Sequence, residues 1–314
     1  MKHSVAVLVA MLPPIIWGST YLVTTELLPP DKPLMAAVLR ILPIGIVVTL
    51  ITGYKPTREQ WSKLFLISLL VMSLFHWPLF VSAYRLPGGF AALLVTSQPL
   101  LVVVIGFVLF GARITLRVGI GIVVGLAGVV LVLIVPSGLH WDTIGIIAAF
   151  TAAVCMSLGT LLTKRWQMDI PVLAFTGWQL LIGGAILLPF ALVFEMPMST
   201  LEASHIGGYF YLAVGGTLLP YFLWMSALRY LEPVIISTLL LLSPLSATVL
   251  GYVVLDQALT NFQIAGAVTV LIGILIASVS PSKLAFWRAK STGTNEEVFT
   301  PGTTHGKLRE DVQK

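Results

Sequence analysis

Two stretches far apart in the chain read almost alike: FVSAYR at residues 80–85 and WMSALR at 224–229. Ser82, Ala83 and Arg85 face Ser226, Ala227 and Arg229 in that pairing. The likeness extends outward. SQPLL (97–101) matches LSPLS (242–246), with Pro99 on Pro244; Gly121 and Gly128 fall on Gly266 and Gly273. Pro33 and Gly45 fall on Pro171 and Gly183. The chain contains one unit twice, so its fold depends on what that unit is.

Composition restricts the answer. Of 314 residues, 57% are hydrophobic and only 10% charged, and the mean hydropathy is +0.99. Soluble domains carry about 25% charged residues. A soluble enzyme, a nucleic-acid binder, a secreted disulfide scaffold and a disordered chain are all excluded, leaving a polytopic helical membrane protein. Cys155 is the single cysteine, so there is no intrachain disulfide and no cysteine metal site. Walker A, HExxH, CxxC and GxSxG motifs are absent, and no metal or cofactor is expected.

A membrane-spanning helix needs roughly 20 mostly apolar residues. Cutting the chain at charges and turn formers yields ten such runs, at 4–24, 33–52, 62–84, 88–110, 116–135, 143–163, 171–194, 206–229, 233–254 and 261–280. The expected fold class is all-α integral membrane, with a first repeat over 4–135 and a second over 143–280. The connections between runs are too short for an extramembrane domain. The first run is read as a retained helix, because no cleavage site follows its long apolar stretch. Residues 281–314, rich in charge, Ser, Thr and Gly, are expected to be a disordered cytoplasmic tail.

Charge orients the runs. With a cytoplasmic N-terminus, 15 of the 18 Lys and Arg residues lie inside; Lys32, Arg40 and Arg85 alone lie on or toward the other side. Both termini are then cytoplasmic. Five helices per unit is odd, so the second copy is inverted. The charges agree: Arg113 is inside, whereas its counterpart LDQA (255–258) is outside and lacks a basic residue. Inverted repeats mark alternating-access transporters, with the site near the midplane between copies.

PIIWGSTYLVTTELLPP (14–30), AAVLR (36–40), AYRLPGGFAALLVTSQPLL (83–101) and LSPLSATVLGYVVLDQALTNFQIAGAVTVLIG (242–273) resemble the EamA repeats of the drug/metabolite transporter superfamily. The opening resembles its PecM-like branch. The resemblance covers about residues 5–280. It implies ten helices, a central cavity lined by spans 1, 3, 4, 6, 8 and 9, and export of metabolites or amphipathic compounds across a bacterial inner membrane. The acidic residue usual near the end of span 9 is here Asp256, followed by Gln257.

Polar groups inside a bilayer are costly and default to functional candidates. Arg40 is the one obligate charge well inside a run. It reads either as an anchor for a substrate carboxylate or phenolate, or as a side chain reaching Glu26 or carbonyls at a broken helix. His76 precedes Trp77 and Pro78; it is a proton or substrate ligand, or a neutral histidine bonded to a neighbouring helix. Glu26 is the second proton-coupling candidate. Aromatic side chains suit stacking on a planar substrate, or ordinary packing. Phe80 and Tyr84 follow His76 at i+4 and i+8, Trp17 and Tyr21 are i and i+4, and Tyr221 and Trp224 are i and i+3. Trp178 aligns with Arg40 in the repeat. Gln98 could supply a midplane polar contact. Pro78, Pro99, Pro220 and Pro244 are kink or gate candidates. Cys155, Ser157 and Thr160 are further cavity candidates. The glycines of the fifth and tenth runs read as close-packing positions.

The expected function is secondary transport of small metabolites, amino-acid-like or amphipathic compounds, by a chain with a small-molecule substrate, a lipid bilayer around it, no nucleic-acid partner and a monomer as default. The alternatives are a membrane-embedded ligand-binding regulator and an intramembrane enzyme; no nucleophile–base pair, paired acids or metal cluster supports the latter.

Overall fold

The structure is a computed structural model that describes residues 3–111, 116–133, 142–196, 201–228, 239–240, 242–257 and 260–278. Among these, every regular element is helical. In chain order they are α1 (His3–Leu27), α2 (Pro33–Thr52), α3 (Arg58–Ser68), α4 (Leu74–Arg85), α5 (Gly88–Thr96), α6 (Gln98–Phe110), α7 (Leu116–Leu133), α8 (Thr143–Trp166), α9 (Val172–Phe194), α10 (Ala203–Phe210), α11 (Leu219–Leu228), α12 (Leu242–Leu255) and α13 (Asn261–Ser278). Two π-helical segments, Leu69–Ser73 and Tyr211–Leu218, join α3 to α4 and α10 to α11 without a break.

Among the described residues, seven helices are long and apolar enough to cross a membrane. They are Val5–Leu27, Pro33–Thr52, Arg58–Arg85, Gly88–Phe110, Thr143–Thr163, Val172–Phe194 and Ala203–Trp224. Three shorter apolar helices, Leu116–Leu131, Leu242–Leu255 and Asn261–Ile276, fall on the remaining apolar runs. The bundle's outer face is apolar. Leu50, Ile51, Leu116, Val193 and Phe194 are exposed, which water would penalise and lipid tails accommodate. The tail (281–314), Arg113, Arg229 and the side chain of Pro99 lie outside what is described.

Sequence chemistry explains the helix ends. Pro33 occupies the first turn of α2, where a missing N–H costs nothing, and Gly53 ends that helix at φ 58°. Thr57 opens α3, with its N–H donating to Gln60 Oε1 at 2.9 Å. Asp142 caps α8 by accepting from the Gly145 N–H at 3.0 Å. The fourth run is not one straight helix. It turns at Ser97, whose N–H donates to the Leu94 carbonyl at 3.2 Å, and restarts as α6 with Pro99 in its first turn.

Helices pack in specific pairs. α2 lies along α9, α7 along α13, α1 against α11 and α12, and α8 against α4, α5 and α6. Glycine sets several of these distances. A Cβ on Gly18 would sit 2.6 Å from the Ser243 carbonyl oxygen, and one on Gly128 would meet the Val270 nitrogen and the Gly266 carbonyl. Gly45 meets the backbone of Leu181, and Gly273 that of Gly125, with no room for any side chain.

The connections gather at two ends. At one, Lys32 Nζ donates to the Glu195 carbonyl at 2.6 Å, Tyr84 Oη donates to the Pro29 carbonyl at 2.9 Å, and Arg85 pairs with Asp142 at 2.7 Å. There too the Gly88 N–H donates to Gln257 Oε1 at 3.1 Å. At the other, Tyr54 and Gln60 both donate to the Asp169 carbonyl.

Candidate functional site

Arg40 is 5% exposed on α2, with its guanidinium turned into the bundle. Its Nε donates to Thr217 Oγ1 at 3.2 Å, Nη1 to Thr20 Oγ1 at 3.3 Å, and Nη2 to the Gly216 carbonyl at 3.2 Å. Among the described residues, no carboxylate lies within bridging distance of it. The Phe80 ring faces the guanidinium at 5.8 Å. Tyr21, Tyr211 and Tyr221 are within its electrostatic reach.

The Gly216 carbonyl stands where the regular α-helical ladder is broken. Pro220, four residues on, has no N–H to offer it. The carbonyl lies in the π-helical segment Tyr211–Leu218, where Thr217 Oγ1 also donates to the Leu212 carbonyl at 3.0 Å. π-Helical turns of this kind recur at functional sites because they displace backbone groups from the regular ladder. The guanidinium thus contacts a carbonyl at an irregular helix, and Glu26 is exposed at the end of α1.

One turn along, Trp17 of α1 meets Tyr221 at 5.9 Å with planes 64° apart, and Trp224 at 5.7 Å and 58°. Tyr21 is buried beside Gly88. Ser19 Oγ shares a hydrogen bond of 2.7 Å with Tyr211 Oη. Thus α1, α2, α4, the second π segment and α11 bring together Trp17, Tyr21, Arg40, Phe80, Tyr221 and Trp224.

The other candidates lie elsewhere. His76 is buried, its Nδ1 donating to the Met72 carbonyl of its own helix at 3.0 Å and its ring edge-on to Phe75. Arg40 is within its electrostatic reach. Tyr84 lies at the end of the bundle that holds Pro29. Trp178 donates from Nε1 to the Tyr54 carbonyl at 2.9 Å and packs edge-on against Trp61, so it braces the opposite end. Gln98 contributes its carbonyl, which accepts from Ser157 Oγ at 3.2 Å. Pro78 and Pro244 are buried within α4 and α12. A shallow cleft between α5, α12 and α13, lined by Gly89, Phe90, Leu93, Pro244, Thr248 and Gln263, shares no residue with the Arg40 cluster. No group of three or more His, Cys, Asp or Glu residues among those described could hold a metal ion.

The profile of the EamA-like transporter family matches residues 4–134 and again 143–279. The chain belongs to the EamA-like transporter family. It is similar to protein PecM of Dickeya dadantii (strain 3937), at 39% identity over 265 residues, covering 84% of this chain and 89% of that protein. It is also similar to a Salmonella typhimurium (strain LT2) protein named "Probable amino-acid metabolite efflux pump", at 27% identity over 295 residues, covering 85% and 92%. A solved crystal structure shares the fold, with a TM-score of 0.60 at 19% identity over 87% of this chain and 96% of that one. The chain is therefore a membrane transport protein. As in the family pattern quoted above, LDQ closes the α12 end: Asp256 adopts a left-handed φ of 53°, and Gln257 then reaches the first turn of α5.

Three residues that bond Arg40 are not singled out by the sequence. Thr20 sits inside the quoted WGSTY motif and was the most recoverable, one turn from Trp17. Thr217 and Gly216 carry no motif. Glu195 was also missed. It is 6% exposed and accepts from the N–H groups of Leu34 at 2.8 Å and Met35 at 2.7 Å, capping α2 from α9. Burial raises the Glu195 carboxyl, opposed by those two N–H donors and by Lys32.

Proposed function

We propose that the chain is a secondary transporter that exports small metabolites by alternating access between two inverted five-helix repeats. It would sit in a bacterial inner membrane with ten spans and both termini cytoplasmic. The repeats would occupy 4–135 and 143–280, followed by a cytoplasmic tail. The observation that carries this reading is the pairing of helices. α1 packs on α11 and α12, while α8, its repeat counterpart, packs on α4, α5 and α6. α2 pairs with α9 and α7 with α13, each with its own repeat mate. The offset that lays Ser82 on Ser226 also carries Leu69–Ser73 into Tyr211–Leu218 and Ser73 onto Thr217. That is the pattern expected of two copies related by a pseudo-two-fold axis.

The Arg40 cluster, with Trp17, Tyr21, Phe80, Tyr221 and Trp224, is the substrate-site candidate, because an uncompensated buried cation is costly and rarely retained without use. The grouping of Lys32 with Glu195 and Arg85 with Asp142 at one end fits the external assignment of those loops, and Tyr54 with Asp169 fits the cytoplasmic one. The test is a comparison of metabolite accumulation inside and outside deletion and overexpression strains, followed by flux of the responding compound in proteoliposomes. Ligand protection with no flux would replace transport by a ligand-binding role.

A further inference from the structure

Among the described residues, Arg40 is incompletely satisfied. A guanidinium has five N–H donors. Three hydrogen bonds are made, all to neutral acceptors, at 3.2–3.3 Å. That is the long end of the N–H···O range, whereas bonds from arginine to a carboxylate run about 2.7–2.9 Å. Among the described residues Arg40 meets no anion to balance its buried charge.

Its surroundings form two facing strips. On α1, Trp17, Thr20 and Tyr21 fall at i, i+3 and i+4 on one face. Across from it, Thr217, Tyr221 and Trp224 fall at i, i+4 and i+7. Thr20 and Thr217 both accept from Arg40, which makes one polar rung. Trp17 meets both Tyr221 and Trp224, and the three make an aromatic rung. The rungs are separated by one helical turn, about 5.4 Å.

We propose that this site binds planar aromatic carboxylates, with the carboxylate on Arg40 between Thr20 and Thr217 and the ring in the Trp17–Tyr221–Trp224 cluster, and that the anion takes the place of the Gly216 carbonyl. The proposal rests on the transporter reading and names its substrate class. The rung separation selects acids whose carboxylate stands one or two carbons from the ring. The planar fork of Arg40 holds a carboxylate through two N–H groups, which a carbonyl cannot match. Losing Arg40, the Gly216 carbonyl exchanges its partner for water, and the π-helical segment Tyr211–Leu218 loosens. Substrate binding is thereby linked to the helix that must move between states.

The test uses the full chain in lipid nanodiscs and titration calorimetry. Benzoate, phenylacetate and 3-phenylpropionate are compared with phenylacetamide and phenethylamine. Phenylacetate or 3-phenylpropionate is expected to bind at least about tenfold tighter than the amide, with the amine weakest. Arg40→Lys is expected to weaken acid binding about tenfold, and Arg40→Gln to erase the acid–amide difference. Equal binding of acid and amide by the unaltered chain overturns the proposal, whatever the variants do. Hydrogen exchange over Tyr211–Leu218 is expected to quicken in the presence of the acid; unchanged or slower exchange overturns the linkage. Acid-selective binding with no flux in proteoliposomes would sink the transporter reading alone. Flux of a neutral metabolite without acid preference would sink this inference alone.

Discussion

Arg40 Nη2 donates at 3.2 Å to the carbonyl of Gly216, the group that Pro220 leaves without an N–H four residues on. A charged side chain of α2 thus bonds to the backbone of the helix that runs through α10, the second π segment and α11. Pro220→Ala restores that N–H and sets the helix in competition with Arg40. The variant is expected to melt higher, since an interior proline costs up to about 3 kcal/mol. It is also expected to transport about tenfold more slowly. Differential scanning fluorimetry and proteoliposome flux read the two effects, and a faster or unchanged flux would separate the bond from the transport cycle.

Glu195 caps α2 from α9, and burial lifts its carboxyl above the ordinary value. A raised acid favours the folded state most when protonated. That contribution is full below the unfolded pKa, near 4.5, and is lost as pH rises through the folded value. Glu195→Gln carries no such proton. Its melting temperature is expected to gain on the unaltered chain as pH increases from about 4.5 toward neutrality. Parallel melting curves across that interval would contradict this.

Asp142 behaves in the opposite sense. The Gly145 N–H, and then Arg85, hold its carboxyl below the usual range. The stabilisation is present above the unfolded pKa and is lost as pH falls through the lower folded value. Asp142→Ala removes the cap of α8 and is expected to cost about 1 kcal/mol at neutral pH. Arg85→Ala should cost much less, because the ion pair is exposed to solvent. Comparable losses in chemical denaturation of the two variants would mean that the ion pair, not the cap, matters.

Gly45 lies against the backbone of Leu181, where helices α2 and α9 cross. Gly45→Ala must push the helices apart, and overpacking of this kind costs about 1–3 kcal/mol. Gly207→Ala, at a position open to its surroundings, should be neutral or slightly stabilising. Thermal melts of the two variants in the same detergent make the comparison, and equal melts would refute the crossing as a tight contact.

His76 donates from Nδ1 to the Met72 carbonyl. With His76 as the coupling group, His76→Gln is expected to abolish flux driven by a pH gradient while substrate exchange persists, because the glutamine amide can still donate to that carbonyl. Unchanged pH-driven flux would remove His76 from the role, and exposed Glu26 would be tested next in the same assay.

Much of the architecture is legible in the chain because lipid imposes it. Long apolar runs must be helical when no water can satisfy the backbone, and glycine at the α2–α9 and α7–α13 crossings marks contacts where no side chain fits. The repeat was visible from FVSAYR and WMSALR alone. The π segments were not, because 3.6-residue periodicity cannot register one inserted residue. Aromatic spacing found Trp17, Tyr221 and Trp224 but did not separate them from Tyr84 and Trp178, which share their chemistry and lie at the two ends of the bundle.

The sequence by itself determined that this is a helical membrane protein built from a repeated unit, that charges are sorted by end, and that Arg40 is a buried cation needing an explanation. The tertiary structure alone decided the partners: Thr20, Thr217 and the Gly216 carbonyl for Arg40, and the α2 N-terminus for Glu195. Composition and period specify which surface each helix hides. Hydrogen-bond partners depend on positions up to 231 residues apart meeting at one depth, and that follows only from how the helices cross.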